Sequence, residues 1–196
     1  AAAEREVARA MATRPRGRSG AKPETERFDL DDAKGLVHAI SGFDVALSSA
    51  DHRFNEALTR AAIEARVHLC DLGGNLLVVK RQLAMTEAAE RAKTTVIPDC
   101  GLAPGMACLL AAWGVERFEH VDSVKIRVGG LPAHPKPPLN YKLTFAVRRL
   151  MREHLEPAEV LRNGEISQVP ALTEPEWIDF PEPFGRLVAF NCSGGV

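Results

Sequence analysis

Hydrophobic and polar positions change rhythm along this chain. Between residues 44 and 105, short apolar runs alternate with longer stretches of helical period. The pattern predicts strand 44–49 (DVALSS), helix 54–65, strand 66–71 (RVHLCD), helix 76–92 and strand 94–99 (TTVIPD). A helix over 104–117 follows, with Met106, Leu109, Leu110 and Trp113 on one face, a stripe that reads as core packing. Strand–helix–strand alternation with crossovers of this length is the pattern of βαβ units in a parallel sheet. Upstream, residues 1–13 read as an Ala/Glu/Arg-rich helix and residues 14–25 as a polar Pro/Gly loop.

After residue 120 the period shortens. Residues 123–130 alternate, with Val124, Ile126 and Val128 on one side and Lys125 and Arg127 on the other, as in a half-buried antiparallel strand. A Pro-rich loop, 132–138, leads to a second alternating run, 140–147, with Tyr141, Leu143, Phe145 and Val147 in phase. A helix over 147–155 comes next. Asn163-Gly164 between AEVLR and EISQV predicts a hairpin, because both turn residues need positive φ. Residues 186–190 (RLVAF) are a last strand. The expected architecture is a parallel α/β domain followed by an α+β domain on a mostly antiparallel sheet, divided near 118–122.

Composition narrows the function classes. With 45% hydrophobic and 26% charged residues, the chain has the balance of a globular protein. Its 25 Lys+Arg nearly cancel its 26 Asp+Glu, so net charge argues for no nucleic acid and no anionic membrane as partner. No apolar run approaches the ~18–20 residues of a membrane span. No basic-then-apolar signal segment opens the chain. The four cysteines form no CxxC pair and no His cluster has zinc spacing, so no metal site is expected. The cysteines read as buried, reduced thiols of a cytoplasmic protein. A start at Ala1 and a Gly-Gly-Val ending lead us to expect a piece of a longer protein.

The candidate chemistry lies at strand ends. In an open parallel sheet, ligands bind beyond the carboxyl ends of the strands. The three predicted strands end in Leu47-Ser48-Ser49, Asp71-Leu72-Gly73-Gly74-Asn75 and Asp99-Cys100-Gly101, which places all three segments on one edge. Gly73 and Gly74 remove Cβ atoms where a planar ring or phosphate would lie, or serve only as turn residues. Ala103-Pro104-Gly105 opens a helix whose free N–H groups favour an anion such as a substrate carboxylate, unless it too is only turn chemistry. Asp71 and Asp99 suit a base or an amine-orienting group, or a cap of the following turn. Cys100 is either a thiol with lowered pKa near a helix N-terminus or a packed residue. His68 reads as a core or edge residue and His134 as exposed. Either Tyr141 or Lys142 can reach a cleft between the domains. Arg14, Arg16, Arg18 and Lys22 read as a solvated loop rather than a phosphate site.

These segments together resemble a known family. DVALSSADHRFN, AAIEARVHLCDLGGN, TVIPDCGLAPGM, IRVGGLPAHPKPPLNYKLTF, RNGEI and FPEPFG are similar, in this order, to the saccharopine dehydrogenase-like family, nearest its lysine 6-dehydrogenase-like branch. The resemblance runs from about residue 28 to the end. It implies an incomplete Rossmann-type dinucleotide-binding domain over 1–120 and an α+β substrate and oligomerisation domain over 121–196. It implies an NAD(P)-dependent oxidoreductase acting on a C–N bond of an amino acid such as lysine or saccharopine. The alternatives are a reductase of carboxylated polyamines and a non-catalytic scaffold. By resemblance Ser48, Ser49, Gly73, Gly74 and Asn75 border NAD or NADP. Asp99, Cys100, Gly101, Pro104 and Gly105 border a small amino-acid substrate, and Lys142, Tyr141 or Asp71 handles the proton. A homo-oligomer is implied as well. Two features depart from the family. No G-x-G-x-x-G/A loop or selector strand is found, which implies a weak grip on the dinucleotide. Asp51 stands where the family often has proline.

Overall fold

The computed structural model describes residues 28–138, 140–142 and 147–193. The predicted helix 1–13 and loop 14–25 lie outside the described residues. The chain divides into two compact units, parted between Met106 and Ala107.

The first unit opens with α1 (Ala33–Ile40), started by Asp32, whose carboxylate accepts from the Lys34 N–H. Strand β1 (Val45–Ser48) follows, then a 3-10 turn (His52–Phe54) and α2 (Asn55–Ala65). Asp51 caps that turn by accepting from the Arg53 N–H at 3.0 Å, so the departure from proline has a local structural use. Then come β2 (His68–Asp71), α3 (Leu76–Leu83), α4 (Thr86–Ala92) and β3 (Val96–Ile97). The three strands pair in the order β1-β2-β3, all parallel. The single helix expected over 76–92 is two helices. The Met85 N–H turns back to the Gln82 carbonyl, and the Thr86 hydroxyl takes the Leu83 carbonyl, so the chain restarts there.

One face of this sheet is packed. Leu30, Leu36, Ile40, Phe54, Leu58, Ala61, Ala62, Val67 and Leu69 form a buried core beneath α1 and α2. Burying each large aliphatic side chain contributes about 1.5–3 kcal/mol. Val45, Leu47 and Ile97 alternate with the inward residues and are exposed. The segment after β3 enters α5 (Met106–Val115), which corrects an expectation. Met106, Leu109, Leu110 and Trp113 were expected to pack as a core stripe, yet all four are exposed and no α5 residue is buried. The helix is apolar on every side, so no stripe selects an inward face.

The second unit contains α6 (Val147–Leu155), as expected, and two antiparallel hairpins. Strands β4 (Ala158–Arg162) and β5 (Glu165–Val169) meet across Asn163 (φ 52°) and Gly164 (φ 82°), the left-handed pair that an Asn-Gly turn requires. Strands β6 (Glu176–Asp179) and β7 (Arg186–Ala189) form the other hairpin. Residues 123–130, expected as a strand, have no ladder partner among the described residues, and Val124 and Val128 are exposed. Their charged side is used instead, since Lys125 and Arg127 both pair with Glu176 on β6. The Arg127 hydrogen bond holds the Glu176 carboxyl below its ordinary range. Of the strand expected over 140–147, residues 143–146 lie outside the described residues, and Tyr141 and Lys142 belong to no strand. At the level of fold class, a parallel α/β unit followed by antiparallel α+β structure is what the sequence predicts and what forms.

Candidate functional site

The parallel register brings the three strand ends to one edge. Ser48 is the partner of Asp71, and Cys70 of Ile97. The ladder then continues past the strands: the Leu72 N–H donates to the Ser48 carbonyl at 3.3 Å, and the Cys100 N–H to the Asp71 carbonyl at 2.7 Å. Segments 48–49, 71–75 and 99–101 are therefore held side by side, as the hydrophobic pattern predicts.

Asp71 lies at the centre and is fully buried. Its Oδ1 accepts the Gly73 N–H at 2.7 Å and the Asp99 N–H at 3.4 Å. Its Oδ2 accepts Gln82 Nε2 at 2.7 Å. Of the two roles open from sequence, the geometry matches the turn-fixing one, because both oxygens are engaged by the chain itself. Gly73 is held at φ 69°, and an added Cβ would lie 1.7 Å from Asp99 Oδ1. Asp99 also has a left-handed backbone, φ 59°. Two loops thus interlock with no room between them.

Ser48 is buried and donates from Oγ to Asn55 Oδ1 at 3.3 Å, whereas Ser49 is exposed. Of this pair, Ser49 faces solvent at the edge. Asn75 starts α3, its Oδ1 accepting the Val78 N–H at 3.1 Å. Gly74, Asn75, Gly101, Pro104 and Gly105 are half-buried. The helix after Pro104 begins only at Met106, whose N–H is taken by the Gly101 carbonyl at 2.9 Å. One of the N–H groups expected to meet an anion is therefore already bonded. Tyr141 (half-buried) and Lys142 (exposed) belong to the second unit.

The cysteines differ from expectation. All four are free, as expected, but none is fully buried, and Cys100 is exposed. Partial desolvation raises the Cys100 thiol pKa, and the nearby Cys70, Asp71 and Asp99 add to the rise. Both open readings of Cys100, a lowered pKa and a packed residue, are thus corrected: the thiol is exposed, and desolvation first and its neighbours second raise its pKa. Raised pKa means less thiolate at neutral pH. Iodoacetamide should accordingly alkylate Cys100 several-fold more slowly than a free cysteine at pH 7.5, with a pH midpoint above the ordinary ~8.5. Peptide mass spectrometry across a pH series reads this; a midpoint below about 8 contradicts it. His68, expected in the core or at an edge, is exposed on the central strand and accepts the Thr95 N–H on Nδ1 at 2.9 Å.

Three residues of this cluster were missed in the sequence. Gln82 is buried, and its Nε2 donates to Thr59 Oγ1 at 3.0 Å as well as to Asp71. Thr59 in turn donates to the Asn55 carbonyl at 2.8 Å. Their signal is a polar residue inside an apolar helical stripe: Gln82 shares a face with Val78 and Val79, and Asn55 and Thr59 with Leu58 and Ala62. Among the described residues no His/Cys/Asp/Glu cluster has metal-site geometry. No helix among them is long and apolar enough to cross a membrane.

Comparison with known proteins shows the family and the fold. Residues 1–97 match the model of the saccharopine dehydrogenase NADP binding domain, and residues 101–194 that of the saccharopine dehydrogenase C-terminal domain. The alpha-aminoadipic semialdehyde synthase of Arabidopsis thaliana is 28% identical over 153 residues, covering 74% of this chain and 14% of that protein. The saccharopine dehydrogenase [NADP(+), L-glutamate-forming] of Pyricularia oryzae is 25% identical over 164 residues, covering 80% of this chain and 35% of that one. The chain thus spans about a third or less of the length of these relatives. Apo saccharopine dehydrogenase (L-Glu forming) from Saccharomyces cerevisiae superposes with a TM-score of 0.63 at 18% identity, over 86% of this chain and 39% of that one. None of these three bears the name of the lysine 6-dehydrogenase branch.

Proposed function

The chain belongs to the saccharopine dehydrogenase family, and on that premise we propose that it is part of an NADP-dependent oxidoreductase acting on a C–N bond of a saccharopine-like amino acid. The observation that carries the reading is the shared edge: the parallel register sets segments 48–49, 71–75 and 99–101 together at the carboxyl ends of the strands. The edge suits the nicotinamide half of the cofactor, because interlocked Gly73 and Asp99 leave a close-packed backbone surface. NADP rather than NAD is favoured by the match to an NADP binding domain and by the name of the fungal relative.

When bound, the nicotinamide supplies the two-electron hydride chemistry. This chain's residues then have three tasks. Ser49, Gly74 and Asn75 border the ring. Cys100, Gly101, Pro104 and Gly105 border the substrate. The resemblance, not a shared site, assigns Lys142 or Tyr141 the proton that leaves nitrogen as the C–N bond is oxidised to an imine, while carbon loses hydride. Asp71 is not assigned that proton, because its carboxyl is buried and fully engaged.

The test is a spectrophotometric scan of NADP+ reduction by the full-length protein of which this chain is part, with saccharopine, lysine and a carboxylated polyamine. Turnover with saccharopine is the expected result, and Lys142→Ala or Tyr141→Phe lowers it by about 10²-fold or more. Preference for the polyamine moves the substrate assignment. Absence of reduction with all three overturns the oxidoreductase reading.

A further inference from the structure

We propose that Asp71, Gln82 and Thr59 form a buried clamp that positions the two interlocked loops, Gly73–Asn75 and Asp99–Gly101, for the nicotinamide. The positioning role rests on the cofactor reading above. The clamp itself rests on geometry alone. Thr59 commits its hydroxyl proton to the Asn55 carbonyl, so its oxygen faces Gln82 as an acceptor. Asp71 Oδ2 is a second acceptor. The amide nitrogen of Gln82 has two protons and gives one to each. No other orientation of that amide satisfies both partners, since turning it would set Oε1 against a carboxylate. Held this way, Asp71 presents Oδ1 to the Gly73 and Asp99 N–H groups, one from each loop.

The path therefore runs from α2 through α3 to the edge with every member buried: Thr59 and Asp71 at 0% and Gln82 at 3% exposure. Both partners of the Gln82 amide nitrogen are buried acceptors while Gln82 Oε1 is buried without a hydrogen-bond partner, so the arrangement is held by the donor side of that amide. These are positioning residues, and none of the three touches a ligand directly.

Exchanging the two functional groups tests the clamp. Asp71→Asn alone presents a donor to Gln82, whose amide must turn so that Oε1 accepts it, which leaves Nε2 in the place where Oε1 has no partner. Gln82→Met alone removes the donor while keeping an apolar stem of similar length. The double variant Asp71→Asn/Gln82→Glu reverses the polarity of the central bond. The amide introduced at position 71 then donates to the carboxylate introduced at position 82. The Thr59 hydroxyl turns to donate to that carboxylate, and the amide oxygen at position 71 still accepts from both loops. Backbone amide exchange at Gly73 and Asp99 is read first, with no ligand present. NADPH affinity is then read by fluorescence and by NMR titration. Each single variant is expected to lose about ten-fold in protection at both amides and a similar factor in NADPH affinity. The exchanged pair should return both to within about three-fold of the parent. If Asp71→Asn does not fold, Gln82→Met and the exchanged pair decide. Unchanged protection in the single variants, or an exchanged pair as loose as Asp71→Asn, overturns the clamp. Lost protection with unchanged NADPH affinity overturns the positioning role. A parent protein that binds no NADPH, with amides behaving as expected, refutes the cofactor reading and leaves the clamp as a fold element only.

Discussion

Gly73→Ala should remove NADPH binding at the edge and destabilise the first unit by roughly 2–4 kcal/mol. Two costs add. The backbone at φ 69° disfavours any side chain, at about 1 kcal/mol or more. The new methyl would also sit 1.7 Å from Asp99 Oδ1 and 2.9 Å from the Asp99 Cα, so side-chain motion alone cannot make room. The loops must separate, and the hydrogen bonds from Gly73 and Asp99 to Asp71 go with them. Denaturant unfolding gives the stability change. The second variant Asp99→Gly separates steric from conformational cost. It removes the obstructing carboxylate, and glycine tolerates φ 59° at that position, so Gly73→Ala/Asp99→Gly should recover part of the lost stability. A Gly73→Ala protein with parental stability and unchanged NADPH affinity would show that the loops do not interlock as described.

The second large effect belongs to the core. Leu36 is wholly buried where α1 closes over α2. Leu36→Ala should cost about 3 kcal/mol, because the methyl groups lose their transfer energy and leave a void that Ile40, Phe54 and Leu58 cannot fill. The measurable consequence is a shift of the first transition in chemical denaturation, with its slope preserved. A loss below about 1 kcal/mol would mean that α1 is not part of the cooperative core. Hydrogen exchange in α2 sharpens the test, since protection there should fall along with global stability.

These effects show which parts of the molecule can be read from the chain. Strands β1 to β3 and their intervening helices were legible because each crossover carries its own apolar period, and the parallel register then fixes the edge. The Asn163-Gly164 turn was legible because it needs two positive φ angles. The alternation at 123–130 was incomplete as a signal: a strand needs a partner, none pairs with it among the described residues, and Lys125 and Arg127 meet Glu176 through side chains. Hairpin β6–β7 was half seen, because EWID offers few alternating apolar residues beside RLVA. The apolar run of α5 named a helix but could not say what would cover it. At the candidate site, the segments were legible and the roles were not. Whether Asp71 serves chemistry or architecture depends on Gln82, eleven residues away, and on Thr59 one helix earlier. Such a pairing has no local sequence mark apart from a polar residue on an apolar helix face.

The central claim is that segments 48–49, 71–75 and 99–101 form a nicotinamide-facing edge. Amide shift mapping on isotope-labelled protein, titrated with NADPH and separately with reduced nicotinamide mononucleotide, tests it most directly. It locates the ligand even when the grip is weak. Both ligands are expected to move Ser49, Gly73, Gly74, Asn75, Cys100 and Gly101, the mononucleotide with the smaller set of responding amides. Shifts confined to other residues, or no shift at millimolar NADPH, would contradict the account.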